Sequence, residues 1–442
     1  MKKNILHLMS VSDISRKLRT GSKRRRRIRR ASRHRLKSSS KFIAVTGSSG
    51  KSTTTGILSH ILEGHGSIRS QYGRNTINAV IRTLLHHRAD EQFVVAELGV
   101  AAIGDMPPMA NMFQPDLAII TMIGNEHYTS FRGPDGVALE KGVLLENIMP
   151  GGVAVLNGDD LFLPKLAKRT AARVVTFGCE NTDVNYRVSG ISVGYPNLLS
   201  FTLTGQGQKL LLETQFPGLH FWMPVTAAVV AALELCVPID IIQARVATFL
   251  PINGRCSVLQ TQNGPNFILD TAKAPSGTLG LAFDMVESAS APRKRIVLGI
   301  ISDYAGSSSR QYRDAWQAAN SIADQVIFVG KNITSAKPSA QDVEDEKIVG
   351  FATTQEAYEY IKATSTPGEL ILLKGSGNLH LERIALAFNK QVLCWEPRCK
   401  MGGDCFTCPG VSRVFNRKFL KRKEVFDRLA FWRLRKKSGY FI

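Results

Sequence analysis

The chain has 442 residues, 44% of them hydrophobic and 21% charged, with 57 Lys+Arg against 36 Asp+Glu for a formal charge of +21. That is apolar material for two or three domains and excludes a wholly disordered chain. The charge is polarised, with +15 over residues 1–41, +9 over residues 412–442 and −3 on the body between them. The ends therefore suit an anionic partner, a membrane surface or a polyanion, while the near-neutral body does something else. No uninterrupted apolar run reaches the roughly 18 residues of a membrane span. A basic block follows the short apolar patch at residues 5–11, unlike a secretory leader. Seven cysteines without disulfide-like spacing through the body fit a reducing cytoplasm, with the basic ends allowing peripheral contact with a membrane.

In chain order, residues 1–41 form a basic, disordered tail. A β-branched and apolar run at residues 42–46 predicts a strand, followed by a glycine turn at 47–53 and an amphipathic helix over 54–62. Buried-strand runs recur at 93–98, 117–123, 153–157 and 174–177, and alternation of strand and helix implies a parallel sheet with helices on both faces. Period-2 segments over 186–216 predict antiparallel strands at the edge, and a helix over 225–235 closes the domain. After Gly and Pro punctuation at 251–255, strands at 267–270, 295–299, 325–330 and 369–374 alternate with helices as in a smaller Rossmann-like domain. The expected organisation is α/β: a P-loop parallel-sheet ATPase domain (42–254), then the Rossmann-like domain (255–393), a Cys-rich segment (394–411) and a basic amphipathic tail (412–442).

The sharpest chemical signal is Thr46-Gly-Ser-Ser-Gly-Lys-Ser-Thr53. A glycine loop between strand and helix turns its backbone N–H groups toward phosphate oxygens, and the helix N-terminus adds its positive dipole end. Gly47, Ser48, Ser49, Gly50, Lys51, Ser52 and Thr53 are thus candidate nucleotide ligands, with Lys51 on the terminal phosphates and Ser52 on Mg²⁺. Val45 stands where the full eight-residue pattern has a glycine, so this is a shortened loop.

With these residues in place, the chain resembles the Mur ligase family, ATP-dependent amide-forming enzymes, over about residues 42–388. Asn75-Thr-Ile-Asn78 resembles the Asn-rich segment of the D-Ala-D-Ala-adding branch. Ala96-Glu-Leu-Gly99 matches a strand-end metal-binding Glu, and Ile123-Gly-Asn-Glu-His127 the segment with a metal-binding His. Leu139-Glu-Lys-Gly142 falls where the family carbamylates a lysine, and Leu156-Asn-Gly-Asp-Asp160 resembles its LN-x-DD strand end. The resemblance implies Glu97, His127 and carbamylated Lys141 beside Ser52 as Mg²⁺ ligands, with Lys51, Lys141 and His127 as the catalytic set. It places Asn157, Arg255 and Asp270 on the nucleotide and Asn75, Asn78, Lys374 and Ser376 near substrate. It also implies phosphoryl transfer from ATP to a carboxylate, attack by an amine on the acyl phosphate, and a site in the cleft between two αβ domains.

Three features depart from the family pattern. His220-Phe-Trp-Met-Pro224 stands where the family's adenine-recognising asparagines belong, Lys273 replaces a His, and no separate uridine-nucleotide-binding domain precedes the loop. The expected acceptor is therefore a polymer or peptide end rather than a UDP-muramoyl peptide held in the family manner. Two rival readings are a non-catalytic, nucleotide-binding Mur-like scaffold and a nucleic-acid-associated ATPase. Cys394, Cys399, Cys405 and Cys408 could close a Zn²⁺ site, hold an iron–sulfur cluster, or stay free or redox-active. Phe415, Phe419, Phe426, Leu429 and Trp432, near helical spacing among basic residues, fit a helix on a membrane surface, on the protein's own body or on nucleic acid.

Overall fold

The computed structural model describes residues 11–124, 128–304, 306–330, 333–397, 399 and 404–412. His127 and the aromatic stretch at 414–432 lie outside the described residues. The chain divides into two compact units. One comprises the chain up to Val258 with Pro275–Pro292 and Asp303–Gly306; the other comprises Leu259–Ala274, Arg293–Ser302 and the chain from Ser307. The division is not one cut at residue 254, because the helix Leu279–Glu287 and its flanks belong to the first unit. There the Ser290 amide donates to Tyr195 O at 2.7 Å.

The first unit is built on a nine-stranded sheet of β1 (Lys41–Thr46), β2 (Ile68–Gln71), β3 (Phe93–Glu97), β4 (Leu117–Ile120), β5 (Val153–Asn157), β6 (Arg173–Gly178), β7 (Tyr186–Gly194), β8 (Asn197–Gly205) and β9 (Gln208–Glu213). Their spatial order is β2-β3-β1-β4-β5-β6-β7-β8-β9. The pairs from β2 to β7 are parallel and the last two antiparallel. Residues 42–46, 93–97 and 117–120 are buried without alternation, as strands covered on both faces require. β9 instead alternates exposed and buried residues, so one face meets water.

Helices α1 (Val11–Leu36), α3 (Ile77–His86) and α4 (Met106–Phe113) pack together, and their apolar residues share a core with Phe42, Ala44, Val94 and Ala118 of the sheet. Between them in sequence, α2 (Lys51–Glu63) follows the glycine loop and packs on the helices Trp222–Glu234 and Ile239–Thr248. The chain then continues through α5 (Tyr128–Phe131) and α6 (Pro134–Gly142).

The expectation of a disordered tail over residues 1–41 is corrected for residues 11–36, which are helical. The physical reason lies on one face of α1, where Ile28, Ala31 and Arg35 recur at helical spacing and pack onto the domain. The Arg35 guanidinium donates to Gln114 O at 2.8 Å, Phe113 O at 3.0 Å and Asp116 Oδ2 at 2.9 Å, and lies 4.1 Å over the Phe42 ring. Lys23 to Arg27, Arg29, Arg30 and Arg33 stay exposed on the other faces. Arg35→Ala is expected to destabilise the first unit by about 1.5–3 kcal/mol, because it strips hydrogen bonds from buried acceptors including a carboxylate; a lowered urea midpoint checks this.

The second sheet is made of β10 (Ser257–Leu259), β11 (Asn266–Asp270), β12 (Lys294–Leu298), β13 (Gln325–Val329), β14 (Ile348–Phe351) and β15 (Leu370–Lys374), in the order β10-β11-β15-β12-β13-β14, with β11 to β15 in the second unit. The pairs from β11 through β14 are parallel, around a core that includes Leu269, Val297, Ile327 and Leu373. Among the described residues no helix is long and apolar enough to cross a membrane.

Candidate functional site

The loop between β1 and α2 is the best-defined feature of the first unit. Gly47 has φ 141° and Gly50 φ 77°, both in the region that side chains disfavour. A Cβ on Gly47 would collide with the Thr121 hydroxyl, and one on Gly50 would come within 3.1 Å of Met223 Cε. The turn is tied to the end of β4: the Ser48 amide donates to Met122 O at 2.8 Å, the Gly124 amide to Ser48 Oγ at 2.9 Å, and Thr121 Oγ1 to Ser49 O at 2.6 Å. Lys51 Nζ bends back over the loop, 2.6 Å from Gly47 O and 3.2 Å from Ser48 O. Together these make a rigid turn of backbone donors and one cation at a helix N-terminus, the arrangement that suits a polyphosphate.

Directly below lies a buried carboxylate. Glu97, at the end of β3 and 2% exposed, accepts from Ser52 Oγ at 2.7 Å, the Gly73 amide at 2.9 Å and Asn75 Nδ2 at 3.0 Å. The structure thus gathers Ser52, Glu97 and Asn75 around one anionic centre. A carboxylate beside a hydroxyl is a hard oxygen donor set, and it fits Mg²⁺. Thr53 is buried in the first turn of α2. Asn78 is exposed near the start of α3 and does not join the Glu97 group.

Lys141 is wholly buried in α6, and its neighbour Glu140 accepts from the Gly104 and Met106 amides at 2.9 and 2.6 Å. Asn157 ends β5, where its Oδ1 accepts from the Asp159 amide at 3.1 Å. Asp160 accepts from the Ile123 amide at 2.6 Å, linking the ends of β4 and β5; burial pushes its carboxyl above the ordinary range despite the amides of Phe162 and Ile123. Arg255 follows Gly254 (φ 74°) and is half-buried.

In the second unit Asp270 and Lys374 face each other on adjacent strands, Nζ to Oδ2 at 2.5 Å, and the ammonium also donates to Lys273 O at 3.1 Å. Ser376 precedes the short turn Gly377–Leu379, its amide on Ile300 O at 2.9 Å. The four cysteines do not converge as one ligand set. Among the described residues, the group of three or more ligating side chains close enough for an ion is His380, Glu382 and Cys405. Cys394, Cys399 and Cys408 stand outside it.

Thr121, the Gly73 amide and Asp160 were not read as site residues from the sequence. Thr121 had one signal, a hydroxyl inside an otherwise apolar strand run.

The fold and this loop define an ATP-dependent enzyme of the P-loop type with a separate Rossmann-like unit. Residues 45–232 match the Mur ligase middle domain, and residues 254–377 match the glutamate ligase domain of Mur ligases. The UDP-N-acetylmuramoyl-tripeptide–D-alanyl-D-alanine ligase of Bacillus subtilis is 24% identical over 350 residues, covering 78% of this chain and 75% of that one. Its counterpart in Borreliella burgdorferi is 26% identical over 358 residues, covering 80% and 75%. A crystal structure of MurF from Acinetobacter baumannii superposes with a TM-score of 0.75 at 25% identity, covering 83% of this chain and 81% of the other. The chain belongs to the Mur ligase family and is an ATP-dependent carboxylate–amine ligase.

Proposed function

We propose that the enzyme extends a peptide carboxylate by a short peptide amine, D-alanyl-D-alanine being the first amine to test. The curated relatives whose names carry that reaction support the choice of amine. The observation that carries the nucleotide chemistry is the buried Glu97 carboxylate on Ser52, at the foot of the loop that bears Lys51.

In this reading the loop amides and Lys51 grip the polyphosphate and hold the γ-phosphorus in line with a carboxylate oxygen. That oxygen attacks phosphorus, the bond to ADP breaks, and an acyl phosphate forms. The amine nitrogen then attacks the acyl carbon and loses its proton as phosphate departs, leaving the amide. Fixed positive charge counts most where charge spreads over the moving phosphoryl group. Ser52 and Glu97 would hold Mg²⁺, which supplies charge neutralisation there. On the family likeness, His127 and a carbamylated Lys141 would complete that set; the complete burial of Lys141 supports a lysine whose charge is exchanged for a carbamate.

Product analysis with ATP and Mg²⁺, over a panel of peptide carboxylates with and without a UDP-muramoyl group and a panel of D- and L-amino acids and dipeptides, tests the substrates. An amide product with D-alanyl-D-alanine supports the reading; products with single amino acids only would exclude it. Lys141→Ala is expected to lower turnover by about 10²-fold or more, with partial recovery in short carboxylic acids that replace the carbamate. Normal turnover in that variant would remove Lys141 from the metal site.

A further inference from the structure

Outside the nucleotide site, the second unit buries three ligating side chains of different chemistry together. His380 ends the turn Gly377–Leu379 in a left-handed conformation (φ 53°), Glu382 opens the helix Glu382–Asn389, and Cys405 comes from the Cys-rich segment. They are 8%, 3% and 3% exposed. His380 Nδ1 lies 3.2 Å from Glu382 Oε1 and 3.4 Å from Cys405 Sγ. A tetrahedral zinc site with Zn–N and Zn–O near 2.0–2.1 Å and Zn–S near 2.3 Å has N···O and N···S edges of about 3.4 and 3.5 Å. The two edges from His380 Nδ1 therefore already sit near tetrahedral spacing, and all three donor atoms lie within 4.8 Å of one another.

Two further observations point to a ligand. Glu382 Oε2 is buried and has no hydrogen-bond partner among the described residues, a costly state for a carboxylate oxygen. Arg383, 1% exposed, directs Nε at Cys405 Sγ over 3.2 Å and anchors its other end on Glu396 O at 2.8 Å. Burial and the Glu382 carboxylate push the Cys405 thiol up to about 12, and the Arg383 guanidinium opposes them, as hydrogen bonds around metal-ligating groups do.

We propose that His380, Glu382 and Cys405 bind a divalent cation of the zinc class, with Cys408, whose thiol stands outside that group in this structure, brought in as the fourth donor when the ion binds. Cys408 follows Cys405 at the compact C-x-x-C spacing and packs in the same small cluster with Leu386, Val392 and Val411. Charge also selects it. One carboxylate, two thiolates, a neutral imidazole and the Arg383 cation balance a dication, whereas a single thiolate leaves the buried group positive. Mixed nitrogen, sulfur and oxygen donors suit Zn²⁺ and disfavour Mg²⁺. The ion would fasten the Cys-rich segment onto the helix Glu382–Asn389. This differs from the four-cysteine set, since Cys394 and Cys399 have no part in it.

The test uses the full chain, stripped of metal and reloaded with Zn²⁺ or Co²⁺. Expected are about one ion per chain and a cobalt spectrum with tetrahedral bands and the charge-transfer intensity of two thiolates. Cys405→Ser and His380→Gln should each weaken Zn²⁺ binding by more than the roughly 10–100-fold that outer-sphere partners cost, while Cys394→Ser and Cys399→Ser leave it unchanged. Failure of the reloaded chain to hold an ion overturns the proposal, as does loss in Cys394→Ser or Cys399→Ser equal to that in Cys405→Ser. If Cys405→Ser does not fold, the thiolate count in the unsubstituted chain decides, two supporting the site and four or none rejecting it. The readout is independent of the ligase reaction.

Discussion

Lys51→Ala is expected to lower ATP-dependent phosphate release by about 10²–10³-fold, the usual cost of removing one preorganised charge from the path of a developing anion. The side chain lies across its own loop, where the carbonyls of Gly47 and Ser48 accept from its ammonium, which places the cation beside the amides that would face a polyphosphate. Lys51 is half-buried, and its loss should lower the melting temperature far less than it lowers activity. A coupled phosphate assay beside a thermal melt separates lost chemistry from lost fold. Lys51→Arg is expected to recover little, because a planar guanidinium does not reproduce a compact ammonium in a tight turn.

Glu97→Gln is expected to act on both activity and stability. The native carboxylate accepts three hydrogen bonds from Ser52, Gly73 and Asn75. A glutamine presents an NH₂ group to at least one of those donors, leaving buried groups unpaired at about 1–3 kcal/mol. It also removes the negative charge that fits the site to Mg²⁺. Turnover should fall by about 10²-fold or more, with a higher Mg²⁺ concentration needed for half-maximal rate. Glu97→Asp keeps the charge and should retain part of the Mg²⁺ response. A variant with ordinary Mg²⁺ dependence would place the cation elsewhere.

The parts of this molecule written in local pattern were legible in its sequence. The apolar run of β1, the glycines at 47 and 50 and the polar first turn of α2 sit within one short segment, so strand, turn and helix could be read together. The edge meander of β7 to β9 was legible for the same reason, through its period of two. β2 and β14 escaped, the first because Ile-Arg-Ser-Gln neither alternates nor runs apolar, the second because Ile-Val-Gly-Phe is only four residues long and broken by a glycine. In α1 the few residues that dock it, Ile28, Ala31 and Arg35, are hidden in a run of basic residues whose composition resembles a solvated tail.

Site residues divide in the same way. Ser52 and Glu97 were identified separately, one by loop chemistry and one by family likeness, and their 2.7 Å hydrogen bond follows from the parallel register that sets Val45 beside Glu97. The Cys-rich segment shows the opposite case. Spacing grouped four cysteines, but the fold sets one of them against a histidine and a glutamate more than twenty positions earlier, a pairing no local pattern encodes.

The most direct test of carboxylate activation by phosphoryl transfer is to label both oxygens of the acceptor carboxylate with ¹⁸O and weigh the phosphate released during amide formation. Transfer through an acyl phosphate predicts one ¹⁸O atom in each phosphate, with ADP as the nucleotide product. Unlabelled phosphate, or AMP with pyrophosphate, would contradict it.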